Sequence, residues 1–95
     1  MEFLVLSERD LVNFSLADFE PYIPGETNTI RRLYGEGKVR NIWLRGDTRG
    51  VCFILEAQDA AEAQAIIDAL PLAQAKMSSF QLIPLNPYGG FAQQQ

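Results

Sequence analysis

Four short stretches of this sequence, Phe3 to Leu6, Ile42 to Leu44, Val51 to Leu55 and Phe80 to Leu85, are apolar at nearly every consecutive position. Successive side chains of a β-strand point to opposite faces, so a sheet built from these segments is apolar on both sides. A half-solvated antiparallel sheet would instead place polar residues at every second position. One face can be covered by helices of the same chain. The other would leave an apolar patch of several hundred Å² or more, larger than a soluble monomer usually tolerates. The simplest cover is a second copy of the same sheet, so the pattern predicts a homodimer joined by sheet-to-sheet packing, or a higher homo-oligomer built on it.

The segments between these strands supply the helices. Residues 2–8 form the first strand, and an irregular helical turn is expected in the proline-interrupted stretch 9–25, where Pro21 and Pro24 break any long helix. Residues 26–36 place Ile30, Leu33 and Tyr34 at helical spacing, with Gly35 and Gly37 as the stop. A β-hairpin follows, residues 39–45 and 51–56 around the polar turn 46–50. Asp59 is a good N-cap for a second helix whose Ala63, Ile66, Ile67 and Leu70 make one stripe, and Pro71 should end it. Residues 78–85 make the last strand, which Pro84 places at an edge or near its own end, and residues 87–95 a tail. The order β, α, β, β, α, β is that of a ferredoxin-like α+β domain: a four-stranded antiparallel sheet with two helices on one face. A chain of 95 residues makes a single domain, 1–95.

Composition narrows the chemistry. The chain has no histidine and one cysteine, Cys52, inside an apolar run. Zinc-hydrolase and histidine-dependent triad schemes therefore have no residues to use, and no metal site is expected. A net charge of -4 disfavours nucleic acid. Six of the eight basic residues nevertheless fall between Arg31 and Arg49, either as the solvated edge of a helix and two strands or as anion-binding groups. No signal peptide or membrane-length apolar segment is visible, so a cytoplasmic location without membrane association is expected.

Alternation along the second strand puts Asn41, Trp43 and Arg45 on one face, a flat apolar surface beside an amide and a fixed positive charge. Such a trio suits a planar, anionic or carbonyl-bearing ligand, although a core tryptophan flanked by strand-end residues would show the same spacing. Tyr22 and Tyr34 lie in the segment that should roof the sheet and could offer phenol donors. Of the carboxylates, Glu26 and Asp18 belong to the irregular stretch where a pocket mouth would lie; a desolvated one could act as a base.

The stretches GKVRNIWLRG (37–46) and ALPLAQAKMSSFQLIPLNP (69–87) resemble the muconolactone delta-isomerase family. That family has Gly-Lys-x-Arg-x-x-Trp opening the second strand and Leu-Pro-Leu after the second helix, before a final strand ending at a proline. The spacing from Trp43 to Leu70-Pro71-Leu72 and on to Pro87 matches without gaps, and the resemblance covers roughly 30–88. It implies the dimeric α/β-barrel form of the ferredoxin-like fold, with a small pocket between sheet and helices and no cofactor. Two positions depart from the family pattern: Asn41 and Asn86 stand where the family has histidine. Asparagine cannot move the proton that the isomerase reaction requires. At those positions it can only bind substrate, and muconolactone itself is disfavoured.

The expected function is that of a cofactor-free isomerase or cyclase acting on a small hydrophobic carbonyl or lactone compound. Trp43 would form the wall, Arg45, Asn41 and Asn86 the anchors, and an acid of the first helical region the base. Two other classes share the fold and the composition: a non-catalytic ligand-binding or assembly module, and a cofactor-free monooxygenase of an aromatic substrate.

Overall fold

The computed structural model describes residues 1–92. Its elements are β1 (Glu2–Arg9), α1 (Leu16–Phe19), a 3-10 turn (Glu20–Tyr22), α2 (Ile23–Gly35), β2 (Val39–Leu44), β3 (Val51–Glu56), α3 (Ala60–Asp68), α4 (Pro71–Gln74), β4 (Ser78–Leu85) and α5 (Gly89–Ala92). The strands form one antiparallel sheet in the order β2-β3-β1-β4. This is the ferredoxin-like arrangement anticipated from the sequence, with β4 at an edge. Of the tail expected at 87–95, residues 89–92 make one helical turn and 93–95 lie outside the described residues.

Directly paired residues share a face, so the register fixes the layers. Phe3 pairs Leu55 and Pro84, and Val5 pairs Phe53 and Leu82. These residues point toward the helices, where Phe3, Val5, Phe53 and Leu55 pack with Leu33 of α2 and with Ala63 and Ile67 of α3. Phe53 and Val5 are fully buried. Each such large side chain contributes about 1.5–3 kcal/mol by leaving water. A smaller cluster of Phe19, Leu72 and Met77 fastens the 14–23 segment to α4.

Helix ends follow local chemistry. Ser15 and Asp18 close a reciprocal capping box over α1, and Asp59 accepts from the Glu62 amide at the start of α3. Gly37, at φ 77°, closes α2 by turning the chain so that the Lys38 amide reaches the Leu33 carbonyl at 2.9 Å.

Pro71 ends the second long helix as expected: α3 stops at Asp68 and Leu70 is extended. Pro21, Pro24 and Pro71 also each sit in the first turn of a following helix. A first-turn residue has no intrahelical acceptor for its N–H, so proline loses nothing there. Hence α2 begins three residues before Glu26, and 71–74 form a further short helix.

Candidate functional site

The core stops where β1 runs out of large side chains. Its helix-facing positions are Phe3, Val5 and then Ser7, and the small third residue leaves the space beneath the start of α2 unfilled. A cleft of about 950 Å³ opens there, between the N-terminal half of α2, the sheet and the β2–β3 turn. Ile23, Ile30, Leu44, Val51, Leu72 and Phe80 make its apolar wall. Its polar lining comes from Ser7, Glu26, Thr27 and Thr48, with Asp47 and the four arginines Arg9, Arg31, Arg45 and Arg49.

The turn that forms one side of the cleft is held against β1 by a set of hydrogen bonds. The Arg9 amide donates to the Arg49 carbonyl at 2.8 Å, and the Val51 amide to Ser7 Oγ at 2.9 Å. Thr48 Oγ1 donates to Glu8 at 3.0 Å, and Arg45 Nη1 to the Ser7 carbonyl at 3.3 Å. Gly50 permits this approach: a Cβ there would fall 1.9 Å from the Ser7 carbonyl oxygen.

Glu26 is the carboxylate with unusual surroundings. One turn into α2, it reaches across to α4, where Oε1 accepts from the Leu72 amide at 3.0 Å. Leu70 gives α4 no side-chain cap, so Glu26 serves as that cap from another helix. Its second oxygen has no hydrogen-bond partner among the described residues. Burial pushes its carboxyl above the usual glutamate value of 4.5, against the opposing pull of the Leu72 amide and of the Arg9 charge. Arg9 itself lies 4.8 Å from the centre of the Phe19 ring, a cation–π contact that fixes its direction. Arg45 is committed elsewhere, gripping Asp47 at 2.7 and 3.0 Å. That bond holds Asp47 below the usual aspartate range.

Of the residues singled out from sequence, the cleft brings together Glu26 and Arg45. The others lie elsewhere. Asp18 is spent on the Ser15 amide in the exposed capping box. Tyr22 and Tyr34 are exposed on the outside of the helical layer, and Asn86 follows β4 in solvent. Trp43 does not share a face with Arg45 and Asn41 inside the pocket. Between the pairs Arg40–Ile54 and Trp43–Cys52, two residues of β2 oppose the single Phe53 of β3, a β-bulge. Asn41 takes the left-handed conformation there, φ 50°, which asparagine tolerates better than most residues. The extra residue inverts the alternation. Ile42 and Leu44 turn toward the cleft, and Trp43, 56% exposed, moves to the helix-free face beside Cys52.

Sequence reasoning missed Ser7, Arg9, Thr27 and Thr48 as lining residues. For Ser7 a signal existed, the polar interruption of the Phe3, Val5 series; for Arg9 there was none. Among the described residues, no group of three or more Cys, Asp or Glu side chains is arranged to hold a metal ion. No helix among them is long and apolar enough to cross a membrane.

Sheet order, helical layer and a cleft beneath α2 define a small ferredoxin-like α+β protein with a ligand-sized opening on its helix-covered face. More specifically, the chain has the muconolactone isomerase-like fold. It superposes on muconolactone isomerase with a TM-score of 0.76 and 18% identity, over 93% of this chain and 91% of that one. It also superposes on the 5-chloro-2-hydroxyhydroquinone dehydrochlorinase of Burkholderia phenoliruptrix AC1100, solved with 2,5-dihydroxybenzoquinone. There the TM-score is 0.75 and the identity 15%, over 95% of this chain and 98% of that one. No family model and no curated protein matches the sequence.

Proposed function

We propose that this protein is a cofactor-free isomerase or cyclase acting on a small hydrophobic carbonyl or lactone compound, with Glu26 as the proton-transfer group. The observation that carries this is the position of Glu26: a partly desolvated carboxylate, anchored through one oxygen, at the boundary between an apolar wall and a set of arginines. Such a carboxyl has its proton affinity raised toward the range useful for general acid–base work. In the reaction, ionised Glu26 takes a proton from a carbon next to the substrate carbonyl. The electron pair moves onto the carbonyl oxygen as an enolate, which cationic side chains of the cleft stabilise. Glu26-COOH then returns the proton to a more distant carbon, and the double bond shifts. Nothing is consumed, so the step needs neither a metal nor an organic cofactor.

The two superposed proteins are named for reactions of small ring compounds, which supports a small-molecule activity of this kind. A second function, ligand binding without chemistry, is favoured by one fact: Glu26 also caps α4, a purely structural task. The substitution Glu26→Gln separates the two. The amide oxygen can still accept from Leu72 but cannot take a proton. A thermal-shift screen of lactones, enones and aromatic acids, followed by proton-exchange NMR of the hits, gives the assay. Exchange at carbon that survives E26Q unchanged would remove Glu26 from the mechanism.

The working form is proposed to be a homodimer built on the helix-free face. Leu4, Leu6, Ile54, Cys52, Trp43 and Ile83 make its apolar centre. Its rim carries both signs of charge, with Glu2 and Arg40 4.0 Å apart. Trp43 then belongs to the interface rather than to the cleft.

A further inference from the structure

We infer that the cleft selects organic anions: ligands with a carboxylate or an acidic phenol or enol attached to an apolar body. This deepens the proposed function and rests on the cleft being the ligand site. Three observations carry it. The protein is acidic overall, at -4, yet four of its eight basic side chains converge on this one opening. Only two carboxylates accompany them, Glu26 and Asp47, and Asp47 is neutralised by Arg45. The other three cleft arginines, Arg9, Arg31 and Arg49, have no ion-pair partner within 4.0 Å among the described residues, whereas Arg32, Lys38, Arg40 and Arg45 do; of the basic residues away from the cleft, Lys76 alone among the described residues also lacks one.

Arginines crowded into one concavity of an acidic protein repel one another unless an anion joins them, and partly apolar walls strengthen their field. The planar guanidinium suits carboxylate and phenolate oxygens, which it can bind through two parallel N–H groups. Arg9 is the most positioned of the three, held over Phe19 and within electrostatic reach of Glu26. It is thus the cleft arginine whose charge acts on the proposed base. Arg31 and Arg49 are exposed and act at the mouth. The apolar residues Ile23, Ile30, Val51, Leu72 and Phe80 take the body of the ligand.

The test compares 2-naphthoate with its uncharged twin, 2-naphthamide, by backbone-amide NMR titration of the 15N-labelled protein. The expected result is a shift of the Ser7, Thr27 and Gly50 amides by both compounds, with the anion binding about ten-fold more tightly. Raising the salt concentration should shrink that preference. R9Q, and independently the exposed pair R31Q/R49Q, should weaken 2-naphthoate and leave 2-naphthamide unchanged, while R40Q on the opposite face changes neither. Equal affinity of the two compounds at the cleft would overturn anion selection and leave the cleft standing as a ligand site. Shifts confined to the helix-free face, or none with either compound, would overturn both. Should R9Q fail to fold, the exposed pair still decides the matter.

Discussion

Gly50→Ala should unfasten the β2–β3 turn from β1 and with it one wall of the cleft. The added methyl would meet backbone, not a movable side chain: the Ser7 carbonyl oxygen at 1.9 Å, the Ser7 carbonyl carbon at 2.7 Å and Glu8 Cα at 3.2 Å. Real Cβ contacts essentially never fall under 3.0 Å, so the two segments must part by about 1 Å. Overpacking of that kind costs about 1–3 kcal/mol. Parting also loosens the Arg9–Arg49 and Val51–Ser7 hydrogen bonds, at about 1 kcal/mol each. The sum is about 3–5 kcal/mol, against a total of about 5–15 for a domain of ordinary stability. In a chain of this size it lowers Tm by at least about 12 °C. Urea and thermal melts followed by circular dichroism measure it. Gly46→Ala in the same turn is the control, because a methyl there meets nothing within 4 Å. A G50A midpoint equal to that of G46A would refute the close-approach reasoning.

The pH dependence of Glu26 has a definite sign. Its carboxyl pKa is raised in the folded state, so the folded protein holds that proton more tightly and ionising Glu26 costs stability as the pH climbs from 4.5 past the folded value. E26Q should therefore match wild type below about pH 4 and gain on it through that window. Parallel pH–stability curves would contradict the burial assigned to this group. Phe53→Ala should cost about 3–5 kcal/mol in a urea melt, because the ring is fully buried between sheet and helices. Leu6→Glu, on the helix-free face, should convert the proposed dimer to monomer in sizing chromatography or light scattering with little change in far-UV signal. A wild-type protein that is already monomeric at micromolar concentration would defeat the interface.

Two cleft-lining residues, the proposed base Glu26 and Arg45, were among those singled out from the sequence, since Glu26 follows the proline-interrupted segment and Arg45 leads into the turn. The wall of the site could not. Period-two alternation from Val39 puts Trp43 on the helix side, and only the extra residue at Asn41–Ile42 reverses it. Nothing local in the sequence announces that bulge, because asparagine is unremarkable in a strand-end context and the bulge is defined by pairing with β3, not by β2 alone.

Local periodicity determined most of the architecture: strand and helix existence, their order, and the apolar character of both sheet faces follow from side-chain spacing and from chain directions that any backbone must obey. The prolines were ambiguous because their effect depends on whether an N–H acceptor lies one turn earlier, which the fold settles. Tertiary structure alone decided which groups meet. The Glu26–Leu72 bond spans 46 positions, and the Ser7–Val51 bond 44. Contacts of that separation are created by the packing of distant segments, so the cleft, its partly desolvated acid and its convergent arginines belong to the fold rather than to any motif.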